Sequence, residues 1–317
     1  MIDVGLMKKI LVAKKITTTW QLTNVLSIFN SGEYSALYIY TGTYWGKYVI
    51  PDWIVNYISQ DPRIRVYTSG KFVASKYRNC VIISVNLPCY KSALLNDNIV
   101  IEDGFGFYNS FYRKINLTIK HRGIFRASLL FFLLLCSRPL RYIFSGKIDY
   151  QTMFDNQLKL NNQVCSRLKK EIEKQADYFN VVHFKDSDVL FCGMPLVENG
   201  TLSKENYLSL LEYLQQYFKN AGKKLYYKPH PSESLDKFIG TMFSIIESEA
   251  NVEHIVSKSP FIEVYSLYST SLININAIFG IKTYGIKSFG GQFIVPELSD
   301  MQNALLDKYS NVINIDF

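Results

Sequence analysis

Three short stretches of this sequence combine residue types that can move a proton or hold a phosphate. Ile99-Val-Ile-Glu102-Asp103-Gly104 sets two adjacent carboxylates at the end of an apolar run, with glycine supplying a turn. Repulsion between the acids, or partial burial, raises one of them above its free value near about 4.3 and suits it to accept a proton. An ordinary Asp-Gly turn is the plainer alternative. In Lys228-Pro229-His230-Pro231 two prolines fix the backbone on either side of one histidine. A histidine so held can donate a proton or a hydrogen bond to a phosphate near neutral pH, or it can simply cap a helix starting around Ser232–Ser234. Ser269-Thr270-Ser271 follows an apolar run and precedes a helical pattern. Its hydroxyls and the free N–H groups of a helix start form a phosphate site, or a plain N-cap.

These residues need elements that bring them to strand ends, and the chain supplies a strand–helix rhythm. Short apolar runs at 9–13, 35–40, 64–67, 80–85 and 98–102 read as strands, and 19–28 reads as a helix. The rhythm restarts with strands at 188–192, 224–227, 263–268 and 282–285. A long amphipathic helix covers 204–219, with Leu208, Leu211, Leu214 and Phe218 on its apolar side. Such alternation specifies mostly parallel sheets with helices on both faces, and ligands then bind beyond the carboxyl ends of the strands. The expected fold is α/β, two doubly wound Rossmann-like domains facing a central cleft. Their expected extents are 1–183, with a basic and apolar insertion around 105–148, and 184–317.

At 317 residues, 48% hydrophobic and 20% charged, the chain is long enough for two cores and too apolar to be disordered. Five scattered cysteines without a CxxC pair argue against a disulfide framework and a structural zinc site. No signal-peptide pattern opens the sequence, so the cytoplasm is the expected compartment. The formal charge of +8 is concentrated in one place. From Gly104 to Ile148 there is no Asp or Glu, but there are Arg113, Lys114, Lys120, Arg122, Arg126, Arg138, Arg141 and Lys147. The apolar run 127–136 inside this stretch is too short to span a bilayer and suits either a buried helix or an anionic membrane surface. A homodimer interface is a further use for it. Nucleic acid is not expected as a partner, because no RNA-binding signature accompanies the charge.

Together, Glu102-Asp103-Gly104, His230-Pro231 and Ser269-Thr270-Ser271 resemble the motifs of bacterial sialyltransferases. The contexts Phe191-Cys-Gly193-Met-Pro195-Leu196 and Tyr226-Tyr-Lys-Pro-His-Pro231 are most similar to glycosyltransferase family 52, which includes lipooligosaccharide, capsule and O-antigen enzymes. The resemblance covers mainly 98–104 and 188–290. It implies a GT-B fold, CMP-sialic acid as donor, no metal or other cofactor, and a terminal sugar of a lipid-linked surface glycan as acceptor, galactose through an α2,3 linkage. It makes Glu102 the general base, Asp103 its neighbour and His230 the general acid toward the departing CMP. Gly193, Pro195, Lys228, Pro231, Ser269, Thr270 and Ser271 are then donor-binding, with Glu263 as the candidate ribose ligand. On this scheme the basic stretch holds the cleft near a lipid at the inner face of the plasma membrane.

Rival interpretations start from other features. Asp186-Ser-Asp188 is a DxD, but it precedes a strand and is expected to be a solvated strand entrance rather than a metal site. His121, His183 and His254 have no ligand-spaced partners. CDP-glycerol glycerophosphotransferases and Kdo-type transferases also use His-Pro and hydroxyl motifs. A non-catalytic membrane-surface scaffold is the remaining alternative.

Overall fold

A computed structural model describes residues 9–42, 51–68, 72, 76–77, 80–86, 96–103, 107, 119, 123–144, 147–155, 157–179, 184–259, 261, 263–293 and 298–315. Gly104, His121 and His183 lie outside these. The chain forms two compact units, Met1–Glu171 and Ile172–Phe317. The division falls inside a helix, twelve residues before the expected boundary at 183.

In the first unit six strands, β1 (Lys9–Ile16), β2 (Tyr34–Thr41), β3 (Ile64–Tyr67), β4 (Val81–Val85), β5 (Asp97–Ile101) and β6 (Ile148–Tyr150), make one parallel sheet. Its order is β3-β2-β1-β4-β5-β6. The helices are α1 (Thr19–Ser31), α2 (Asp52–Ser59), α3 (Ile124–Ile143) and α4 (Asn162–Ala176). Because helices cover both faces, the inner strands read as unbroken apolar runs, as in Val81–Ile83 and Ile99–Ile101, all buried. The basic stretch does not stand apart from this sheet. It contains α3, which lies between β5 and β6, and those strands pair in parallel from Asn98 with Ile148 onward.

The second unit repeats the plan. Strands β7 (Val189–Cys192), β8 (Leu225–Lys228), β9 (Ser244–Ile245), β10 (Glu263–Ser266), β11 (Lys282–Phe289) and β12 (Gln292–Phe293) run in the order β12-β11-β10-β7-β8-β9, and β13 (Asn311–Ile315) pairs with β11. Among the described strands of this unit only the short β12 is antiparallel. Helices α5 (Lys204–Asn220), α6 (Val252–Ser257), α7 (Thr270–Phe279) and α8 (Asp300–Tyr309) complete it. On α5 the buried residues are Tyr207, Leu210, Leu211, Leu214 and Phe218, an i, i+3, i+4, i+7 stripe; Leu208, expected there, is only partly buried at its edge.

Two parallel-sheet α/β units in succession match the expected GT-B fold class. The helix expected near Ser232 is instead a single 3₁₀ turn, Leu235–Phe238, capped by the Ser234 hydroxyl. Asp188 also departs from expectation. It is buried, and its carboxylate accepts the Lys185 N–H at 2.8 Å, which closes the turn into β7; Asp186 alone is exposed.

Candidate active site

In both sheets the strand order reverses beside the first strand, between β1 and β4 and between β7 and β10. The crevice beyond the carboxyl ends of the strands at such a point is where α/β sheets hold ligands.

In the first unit that edge is shaped by two unusual backbone positions. Lys15, at φ 56°, makes an irregularity in the β1–β2 register and redirects the chain into Thr17 and the start of α1. Asn86, at φ 63°, follows β4, and asparagine tolerates this left-handed conformation. The Asn86 amide donates to the Ile101 carbonyl at 2.9 Å, and its side-chain oxygen accepts the Asp103 N–H at 3.1 Å. Asp103 is thereby tied to the end of β4. Its carboxylate accepts from the Gln21 amide at 2.7 Å, and the Gln21 carbonyl accepts from Thr17 N–H and hydroxyl at 2.8 and 3.2 Å. Burial pushes the Asp103 carboxyl above the usual aspartate value, against the opposing effect of the Gln21 bond.

Glu102 is placed differently. It is 1% exposed, and its Oε2 accepts the Met153 N–H at 3.2 Å in the segment after β6. Its charge, after burial itself, helps push the nearby Cys165 thiol up to about 12. The adjacent acids therefore point into different surroundings, Glu102 into the core and Asp103 toward the switch-point edge.

In the second unit β8, β7 and β10 are neighbours, so His230, Gly193–Pro195 and Ser269–Ser271 leave one edge of the sheet from consecutive parallel strands. At about 4.8 Å between strands, the outer two are roughly 10 Å apart. His230 is exposed. Its Nδ1 accepts the Ser232 N–H at 3.1 Å, which leaves the neutral ring with its proton on Nε2. Although the residue reaches solvent, the chain packed around the ring, and then the Lys228 charge, lower its pKa below the usual imidazole value. The His230 N–H donates to Glu233 at 2.6 Å.

Glu233 is the centre of a buried network. Its side chain has no exposed surface; it is ion-paired with Lys237 and accepts the Tyr227 hydroxyl at 2.6 Å, and Tyr227 meets Tyr207 at 2.9 Å. Burial raises the Glu233 carboxyl despite these donors. Gly193 is explained by this network: a Cβ there would lie 2.2 Å from Glu233 Oε2 and 2.3 Å from Tyr227 Oη. Pro195 is half-buried and accepts the Asn199 N–H at 3.1 Å, while Pro231 is exposed. Lys228 is buried at the end of β8, its ammonium donating to the Ser248 carbonyl at 2.6 Å, and desolvation lowers its pKa.

Ser269 is the N-cap of α7, accepting the Ser271 N–H at 3.2 Å, and Ser269, Thr270 and Ser271 are all half-buried. Beneath them Ser266 donates to the Cys192 carbonyl at 2.7 Å, clamping β10 to β7. Glu263 is not brought to this edge. It begins β10 at the opposite end of the strand, paired with Lys223 at 3.1 Å and accepting from Tyr265 and Tyr284. A cavity of about 160 Å³ in the same unit, lined by Phe184, Tyr226, Ile246, Ser248 and His254 among others, contains none of the motif residues. His254 there is held by Gln175 at 2.9 Å, and burial lowers its pKa to about 4.

Gln21, Thr17, Asn86 and Glu233 escape a motif-based search. For Thr17, Asn86 and Glu233 the one signal available was position, a polar residue a few places beyond an apolar run; Gln21, in the first turn of α1, carried none.

Two Rossmann-like units with polar clusters at both switch points define the GT-B fold class. Residues 89–286, more than half the chain, match the model of the alpha-2,8-polysialyltransferase family (POLYST), and the chain belongs to that family. It is a sialyltransferase, using a sugar-nucleotide donor and a glycan acceptor. The resemblance to glycosyltransferase family 52 rests on the short motifs alone. No curated protein matches this sequence. Among solved structures, UDP-GlcNAc 2-epimerase from Methanocaldococcus jannaschii aligns with 97% of this chain and 89% of its own, at 11% identity and a TM-score of 0.57, a likeness of fold. The glycotransferase of kitacinnamycin aligns with 97% and 86% at 7% identity and a TM-score of 0.48.

Proposed function

We propose that the protein transfers sialic acid from CMP-sialic acid to the terminal sugar of a bacterial surface glycan by direct, inverting displacement. The observation that carries this is the alignment of His230, Gly193–Pro195 and Ser269–Ser271 on adjacent strand ends, a span of about 10 Å that suits one phosphate and its sugar. The N–H groups at the start of α7, with the Thr270 and Ser271 hydroxyls, receive the CMP phosphate. His230 faces the same group with Nε2–H and donates to it as the bond from the sialyl anomeric carbon to the phosphate oxygen breaks. CMP leaves, and the acceptor hydroxyl oxygen forms the new bond while its proton passes to a carboxylate. The donor's β configuration becomes α. No metal is assigned a role in this scheme.

The motif resemblance gives the proton to Glu102. Burial supports Asp103 instead: it is the less enclosed of the two, it lies at the switch-point edge, and its raised pKa makes it a stronger base than an ordinary aspartate. Glu102 then acts by holding the backbone at Met153. Lys228 and Glu233 set the position of the His230 turn. For the acceptor, the family description favours a sialylated terminus and an α2,8 linkage, whereas terminal galactose and α2,3 rest on the motif resemblance.

The test is transfer and donor hydrolysis with CMP-sialic acid in EDTA, using galactose-terminated and sialyl-terminated acceptors. Asp103→Asn and His230→Ala should each lower kcat by about 10²–10⁴-fold, and Glu102→Gln by less. A divalent-metal requirement, or an unaltered rate in His230→Ala, overturns the mechanism. Competition by CDP-glycerol rather than CMP would place the protein with the glycerophosphotransferases.

A further inference from the structure

Helix α3 carries eight large apolar residues on the outside. Phe125 is 84% exposed, Phe132 68%, Leu129 58% and Leu135 53%, and Ile124, Phe131, Tyr142 and Ile143 are exposed as well; Ala127 is buried. At 3.6 residues per turn these eight positions fall within an arc of about 160°, along a helix about 30 Å long. Folded monomers rarely leave so broad a contiguous apolar face in water.

The charge of the surrounding sequence indicates what covers it. Eight basic residues and no acid lie between Gly104 and Ile148, and Arg126 and Lys147 are exposed. A second copy of the chain would bring two such strongly positive surfaces together, and their repulsion opposes that pairing. A layer of anionic headgroups over hydrocarbon complements both the charge and the apolar arc. Among the described residues no helix is long and apolar enough to cross a membrane, so a helix lying along the surface is the geometry that fits.

We propose that α3 docks the protein onto an anionic phospholipid bilayer, with the apolar arc among the upper acyl chains and the basic residues at the phosphates. This rests on α3 and its flanking charge alone and does not depend on the catalytic assignment.

The experiment is co-sedimentation of the whole chain with vesicles of phosphatidylcholine alone or with phosphatidylglycerol, at low and high salt. Phe125→Ser/Phe132→Ser should bind anionic vesicles at least about tenfold more weakly, since both rings leave water in the bound state. Replacing Arg122, Arg126, Arg138 and Arg141 by Gln should remove the preference for anionic lipid, and high salt should weaken wild-type binding. Retained thermal melting shows that each variant is folded, as expected for changes at the two exposed phenylalanines. No binding at low salt, or equal binding to neutral vesicles, overturns the proposal. So does a wild-type dimer that the phenylalanine variant abolishes while its vesicle binding is unchanged.

Discussion

Replacing Gly193 by alanine tests whether the Glu233 network fixes the catalytic turn. The new methyl would sit 2.2 Å from Glu233 Oε2 and 2.3 Å from Tyr227 Oη, and neither can yield easily. Tyr227 is a rigid ring, 2% exposed, stacked near Phe191 and bonded to Tyr207; the Glu233 carboxylate is pinned by Lys237, Tyr227 and the His230 N–H. Overpacking costs about 1–3 kcal/mol. Losing one charge-assisted hydrogen bond adds about 1.5–3 kcal/mol. A destabilisation of about 3 kcal/mol lowers the melting point of a unit this size by about 10 °C. Because Glu233 holds the His230 amide, kcat should also fall at least about tenfold well below that melting point. Calorimetry with transfer kinetics is the assay. Melting within about 2 °C of wild type, with full activity, would refute the view that this glycine exists to admit Tyr227 and Glu233.

His254 should make the protein acid-sensitive: with its pKa at about 4 when folded and about 6.5 when unfolded, only the unfolded chain gains the proton in between. Stability therefore falls as pH drops through that window, by about 2 kcal/mol between pH 7 and 5, and urea titrations of His254→Gln should lack this component. Gln21→Ala removes a bond that holds the Asp103 carboxylate in its charged form, so the acid limb of the kcat/KM profile should move to higher pH. An unmoved limb would exclude Asp103 as the base. Ser269→Ala takes the cap from α7 and should cost about 1 kcal/mol in denaturant titrations, with a raised KM for the donor.

Much of the frame was legible in the sequence. Strands such as 80–85 and 188–192 announce themselves because a parallel sheet covered on both faces needs nearly unbroken apolar runs. Among the strands that escaped are β6 with three residues, β9 and β12 with two each, and β13, which is mostly exposed. The site was legible as chemistry but not as direction. Nothing in Glu102-Asp103 says which acid enters the core, because that depends on Met153 and Gln21, far away in the chain. Glu263 followed from the resemblance, as an acid upstream of the hydroxyls, yet it begins β10 at the end of the strand away from them. Gly193 looked like a ligand contact, whereas its neighbours in the folded chain are a tyrosine and a glutamate.

The strand order has a consequence for how the chain acquires its structure. Each sheet is centred on a pairing of its first strand with its fourth, Leu11 with Val81 and Val189 with Glu263. Contacts separated by about 70 residues place both units among slow-folding topologies, because loop closure must precede the pairing that stabilises it. During synthesis β1 and β2 are made first and wait, with one edge open, until β4 arrives. The same wait recurs in the second unit, so each switch-point edge, where the candidate site residues gather, stays open until the fourth strand of its sheet has been made.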